Sequence, residues 1–443
     1  MIQQNPYFRE IGKRFSHFLL PKYFPNMKIV DGCSTTKEVG DKDMFSYFSK
    51  LDIEKIINSQ DDEFFVFSQE DEGRNSDLAF KKLYHCLEYG IPPKKIVYLT
   101  GNQLDIKNLN QWHKDNNLSM EESINIVQIF WPHAPSHYHL THNHERVDAD
   151  YCWNKFSKLL LTYYRHNKLF LQGSRVIRGH RTYANFRAYE SGIRDYFLIS
   201  QDKILRTHPY ILVDEYESSV ENYADWLRLP IESEIFEEDD ETFKDPAHSW
   251  DITFEEAKRF MELDRTVFPL TIDQNDFDVN WAMIQNKHLS EEFNFSALFN
   301  VVMETSARSD VLFFSEKTSN ALALFQPFII YGNPNINQHL RNIGFESYDE
   351  IFDYSFDSIA HYVKRYDALL EMLKEVVKRF SKMSKEEQLK VRFSLEEKLR
   401  FNYNLYMRYC INHPHNPPID SGFITMHGPI KDFYFTTSPA LGR

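Results

Sequence analysis

Short apolar runs alternate with helix-length amphipathic stretches along this chain, and that alternation restricts its fold more than any other feature. The pattern is sharpest between Ala297 and Pro334. Ala297, Leu298, Phe299, Val301 and Val302 form a run suited to a buried strand, which ends at Glu304-Thr305. A second run, Val311 to Phe314, stops at Ser315, a residue type that caps helices by accepting an amide N–H, and Glu316 and Lys317 fall in the first turn. Ala321, Leu322 and Phe325 follow at core spacing, and Pro327 ends the helix. Phe328-Ile329-Ile330-Tyr331 is the next buried strand, closed by the turn Gly332-Asn333-Pro334. The spacing predicts a βαβ unit. It puts Glu316, Lys317 and Gly332 on the edge where open parallel sheets bind ligands.

Such an edge can hold a diphosphate, because a helix N-terminus presents free N–H groups and partial positive charge. Lys317 adds a point charge, and the Glu316 carboxylate suits the vicinal hydroxyls of a ribose. The bland alternative is that acids favour any first turn and that a lysine there is merely solvated. A second cationic feature follows the apolar run Lys168 to Leu171. Arg175, Arg178 and Arg181 crowd a strand-to-helix turn, where guanidinium forks match phosphate oxygens, although charge clusters are commonly just a solvated face.

The first half repeats the alternation. Glu63 to Phe67 is a strand, and it runs into an acidic loop from Ser68 to Gly73. Ser76 opens a helix with Phe80, Leu83 and Leu87 on one face, stopped by Gly90 and Pro92. Lys95 to Leu99 is a strand ending in Thr100-Gly101-Asn102, then come a helix over 106–115 and a strand over 124–130. Strands separated by helices imply a parallel sheet here too. The acidic loop sits past a strand end, so its carboxylates are candidates for proton transfer, with Glu72 leading and Glu70 and Asp71 competing.

A chain of 443 residues exceeds one ordinary core and implies two domains. We expect 1–165 and 166–380 to be Rossmann-like and 381–443 to be a helical extension, with long helices over 358–380 and 384–409. The formal charge of −14 gives no whole-chain attraction to duplex DNA. No apolar run approaches the roughly 18 residues a membrane span needs, and the N-terminus lacks a signal-type apolar region, so a cytoplasmic protein without a membrane partner is expected. Five histidines lie between His133 and His144, but their spacing fits no standard zinc pattern, and no metal is expected. Residues 201–296 and 412–443 carry little signal.

The pattern ET-x(9)-SEKT…PFIIYGN…IGF…YSFD, from Glu304 to Asp357, resembles the donor-binding half of GT-B glycosyltransferases. It is similar to a set encoded by phages and large viruses, and more distantly to the donor motif of α1,3-fucosyltransferases. Ser315 stands where threonine is usual, and Asn320 where a lysine often follows. That set also shows an F-x-x-x-N-R-x-x-R-x-x-R run, whose register Phe170, Arg175, Arg178 and Arg181 keep, with Ser174 in place of the asparagine. Its Glu-Gly loop and T-G-N strand end fall on Glu72-Gly73 and Thr100-Gly101-Asn102.

The resemblance implies a GT-B-like α/β fold, two Rossmann-like domains with a cleft between them and a C-terminal helical extension. It implies a metal-independent glycosyltransferase without a prosthetic group, using a nucleotide-diphosphate sugar, a UDP-sugar first among the donors. Glu316 would contact ribose, Lys317 and the three arginines phosphate, with Glu304, Ser315 and Gly332 completing the donor motif and Glu72 as catalytic base. Phage relatives point to a hydroxymethylated DNA base as acceptor, in a host cytoplasm; protein, glycan and small-molecule acceptors compete. A non-catalytic nucleotide-binding viral protein and a metal-dependent hydrolase using the histidine loop are the alternatives.

Overall fold

The computed structural model describes residues 28–31, 53–54, 57–58, 63–69, 76–119, 123–129, 149–174, 179–201, 254–266, 294–307, 311–409 and 424–428. The protein is an α/β chain with two compact units. One comprises Met1–Trp131, Asp310–Phe313 and Asn416–Arg443, the other Pro132–Ser309 and Phe314–His415.

The first unit runs β1 (Lys28–Asp31), β2 (Glu63–Gln69), α1 (Ser76–Tyr84), β3 (Ile96–Thr100), α2 (Asp105–Asp115) and β4 (Asn125–Ile129). The four strands are parallel in the order β1-β2-β3-β4. All five residues of β3 are buried, which explains a continuous apolar run rather than an alternating one. Phe67, Phe80, Leu83, Ile96, Tyr98, Leu109 and Ile126 make the core on one side of it. Gly90 closes the turn after α1 at φ 72°, a left-handed conformation that glycine adopts without a side-chain clash.

Past the end of β3 the buried Asp105 carboxylate accepts from Ser76 Oγ (2.5 Å), Thr100 Oγ1 (2.6 Å) and Asn102 Nδ2 (2.9 Å). Asn102 Oδ1 accepts from the Leu104 and Leu312 amides, at 3.1 and 2.9 Å. The Gln103 amide donates to the Leu312 carbonyl at 2.8 Å. This accounts for the apolar run at Val311–Phe314. It is buried but is not a strand, because Leu312 finds its backbone partners in a side chain and a turn rather than in a ladder.

The second unit contains α3 (Ala149–Tyr163), β5 (Phe170–Ser174), α4 (Gly179–Glu190), β6 (Phe197–Gln201) and α5 (Phe254–Thr266). It continues with β7 (Phe299–Met303), α6 (Glu316–Ala323), β8 (Phe328–Tyr331) and α7 (Ile336–Asn342). The sheet is parallel throughout, in the order β6-β5-β7-β8, and β7-α6-β8 is the βαβ unit the spacing predicts. Three helices follow: α8 (Tyr362–Phe380), α9 (Lys385–Phe393) and α10 (Glu396–Tyr409). The single helix expected over 384–409 is therefore broken at Ser394-Leu395, and the one expected from 358 starts at Tyr362 after a 3-10 turn over Ser355–Ser358. A capping box fixes the start of α9, with Ser384 Oγ accepting from the Glu387 amide and the Glu387 carboxylate accepting from the Ser384 amide. Back in the first unit, β9 (Ile424–His427) pairs antiparallel with β4.

His339 on α7 lies 5.9 Å from the Phe314 ring, with Nε2 buried and without a partner among the described residues. Burial pushes its pKa down to about 4. The folded protein thus keeps it neutral while an unfolded chain protonates it near its ordinary value of about 6.5. Its contribution to stability is whole above that value and is lost as pH falls toward 4, by at most about 3 kcal/mol. Urea unfolding at stepped pH should show this loss in the native protein and a flatter profile in His339→Gln; identical profiles would contradict the assignment.

Candidate functional site

The C-terminal edge of the second sheet is built around one carboxylate. Glu304 directly follows β7, its amide donates to the Tyr331 carbonyl at 2.9 Å, and its side chain has no solvent exposure. The carboxylate accepts from the Ser315 amide (3.1 Å to each oxygen), from the Thr305 amide (3.1 Å) and from the Thr318 hydroxyl. It therefore ties the end of a strand to the first turn of the helix eleven residues on, where a buried carboxylate is stable only when donors satisfy it. Ser315 is the N-cap of α6, with its Oγ accepting from the Lys317 amide at 3.3 Å. Lys317 is half-buried.

Gly332, just past β8, is needed because of the Glu304 stem. A Cβ there would sit 2.9 Å from the Glu304 Cβ and 3.1 Å from Ile336 Cδ1, closer than side chains pack. Asn333 Nδ2 donates to Ser306 Oγ at 3.2 Å, joining the two strand ends again.

The arginine-bearing helix meets the same point. Arg181, in the first turn of α4, is buried and donates from Nε to the Glu304 carbonyl (2.9 Å) and from Nη2 to Thr305 Oγ1 (3.3 Å). His180 Nε2 donates to the same carbonyl at 2.9 Å, which places the proton on that nitrogen, since a carbonyl only accepts. Arg181 thus holds the loop that follows β7. Arg365, in the first turn of α8, donates to the carbonyls of Ala307 and Gly332 at 2.6 Å each. Burial pushes its pKa down to about 10, against the pull of the Tyr331 hydroxyl and Asp357.

The two helices that begin at this edge are treated differently. The Asp357 carboxylate accepts from the Asn337 and Gln338 amides (3.3 and 2.9 Å) and from Asn337 Nδ2 (2.7 Å), so the start of α7 is satisfied by the chain itself. Burial raises the pKa of Asp357, and these donors oppose the rise. At the start of α6 the carboxylate is Glu304, joined by the Ser315 cap, and the first turn also carries Lys317. Arg181 and Arg365 bring two buried cations to this edge beside the carboxylates of Glu304 and Asp357.

Of the residues singled out in the sequence, Glu304, Ser315, Lys317, Gly332 and Arg181 come together here. Glu316 is the first residue of α6, and its carboxylate lies outside the described side chains. Arg175, Arg178, Glu72 and the histidine-rich stretch 133–144 lie outside the described residues. Among the described residues no three His, Cys, Asp or Glu side chains gather as a metal site, and no helix is long and apolar enough to cross a membrane. Sequence reasoning missed His180, Thr318 and Arg365. Arg365 did leave a signal: it stands on the apolar stripe of α8, three residues after Tyr362 and four before Leu369.

Comparison with protein-family models, curated proteins and solved structures finds no match to this chain.

Proposed function

We propose that this edge of the second sheet binds the diphosphate of a nucleotide sugar and that the chain is a glycosyltransferase of GT-B type. The observation that supports this reading best is the convergence on Glu304. It brings the first turn of α6, the glycine turn after β8 and the first turn of α4 to one place at the C-terminal ends of parallel strands. In this reading Lys317 and Arg178 contact the phosphates, Glu316 the ribose, and Arg181 acts through the loop it holds. The leaving diphosphate gains charge as the glycosidic bond breaks, so cationic and N–H contacts strengthen toward the transition state. Glu72 takes the proton of the acceptor hydroxyl. A hydroxymethylated DNA base is the acceptor the viral resemblance suggests; with a net charge of −14, such binding would need a local cationic surface.

The test is a thermal-shift screen of UDP-, GDP- and TDP-sugars followed by a donor-hydrolysis assay. One donor class should stabilise the protein and release free sugar slowly. Lys317→Ala should weaken that donor about 10- to 100-fold, the worth of one charge-assisted phosphate contact, while leaving the melting temperature without ligand within a degree or two. Stabilisation without any sugar release would make the chain a nucleotide-binding protein. No shift with any donor would end the reading.

A further inference from the structure

Arg365 is fully buried on the core stripe of α8, and its terminal nitrogens spend their hydrogens on four main-chain carbonyls. Nη1 donates to Ile359 and to Ala360 (2.8 Å), and Nη2 to Ala307 and Gly332 (2.6 Å each). Two of these acceptors belong to the segment that enters α8. The other two belong to separate loops of the candidate site, one leaving β7 and one leaving β8. The guanidinium lies 6.0 Å from the Tyr331 ring centre, and its Nε has no partner among the described residues. No carboxylate hydrogen-bonds it among those residues. Asp357, the carboxylate whose charge acts on it, is committed to Asn337 and Gln338.

Both loop carbonyls are bonded by Nη2, whose two hydrogens are fixed in the guanidinium plane, whereas those of an ammonium rotate. One rigid group therefore links the loop after β7 to the turn after β8, and that group is a cation. Other tethers between these strand ends, Asn333 to Ser306 and the Glu304 amide to the Tyr331 carbonyl, are neutral hydrogen bonds.

Resting on the reading of this edge as the donor site, we propose that Arg365 is a positioning residue for the diphosphate. It holds the two loops at the separation the diphosphate spans, and it adds positive charge to the edge through the backbone it grips.

The experiment is calorimetric titration of the full chain, Arg365→Lys and Arg365→Met with UDP, uridine and inorganic pyrophosphate, with urea unfolding run on each variant. UDP affinity should fall tenfold or more in both variants and uridine affinity less than twofold, so that the ratio of the two drops. A general loosening of the fold would lower both ligands alike and leave the ratio unmoved, which would overturn the proposal. Retention of the native ratio in Arg365→Lys would also overturn it, because charge without the fork would then suffice. If Arg365→Met does not fold, the lysine variant carries the test. Pyrophosphate binding that depends on Arg365, in a protein that binds no UDP, would sink the nucleotide-sugar reading and keep the positioning role. UDP binding with an unchanged ratio would sink the positioning role alone, and native protein that binds neither would sink both.

Discussion

Glu304→Ala should destabilise the second unit by about 3–5 kcal/mol, because it strands several buried donors at once, each costing about 1–3 kcal/mol when left unpaired. The amides of Thr305 and Ser315 and the hydroxyl of Thr318 all lose their acceptor, and Ser315 and Thr318 are buried. Glu304→Gln should lose less, since one amide oxygen remains to accept, but its NH2 would face the same donors. Urea unfolding of the two variants beside the native protein measures this. An alanine variant within about 1 kcal/mol of native would mean that the strand end and the helix start are held by something other than the carboxylate. The consequence for function follows from geometry. Without Glu304 the first turn of α6 has no fixed relation to the sheet, so donor affinity should fall together with stability.

Arg181→Ala is the second change of large effect, and it should be read first in stability, by about 2–4 kcal/mol. The side chain is 1% exposed and its guanidinium donates to the Glu304 carbonyl and the Thr305 hydroxyl. Arg181→Lys should recover little, because one ammonium cannot serve both acceptors in that fork. Donor-induced stabilisation should shrink in both variants. A fully stable Arg181→Ala protein that has simply lost donor binding would instead make Arg181 a direct phosphate ligand, and the positioning role assigned to it would fall.

Much of the architecture was legible because parallel strands buried on both faces leave continuous apolar runs. Ile96–Thr100 and Phe328–Tyr331 are such runs, Phe299–Met303 is one interrupted by the half-buried Asn300, and each is a strand. Burial alone does not make a strand, and the apolar run Val311–Phe314 is buried without being one: the Leu312 amide is paired with the Asn102 side chain, 210 residues away in sequence. The break between α9 and α10 was hidden because the apolar spacing continues across it, and Ser394 is as compatible with a helix as with its end. Within the site, Ser315 and Gly332 were readable from local rules, one as a cap and one as a turn. What they serve was not, because a glutamate following a strand looks like a solvated loop residue until the helix start is folded over it. Arg365 and Arg392 show the same gap. Arg365 is a buried cation on an apolar helix stripe, and Arg392 is one on a helix whose other buried residue is Gln388, so composition marks both as surface positions.

The last strand of the first sheet has a bearing on synthesis. β9 lies against β4, and Ser123 beside that pair reaches His427, 304 positions away. A ribosome adding roughly 5–20 residues per second therefore leaves one margin of that sheet unfinished for tens of seconds, with the amides and carbonyls of β4 open to water or to a neighbouring nascent chain. Removing the final twenty residues would make that interval permanent, turning a folded margin into a seam for aggregation.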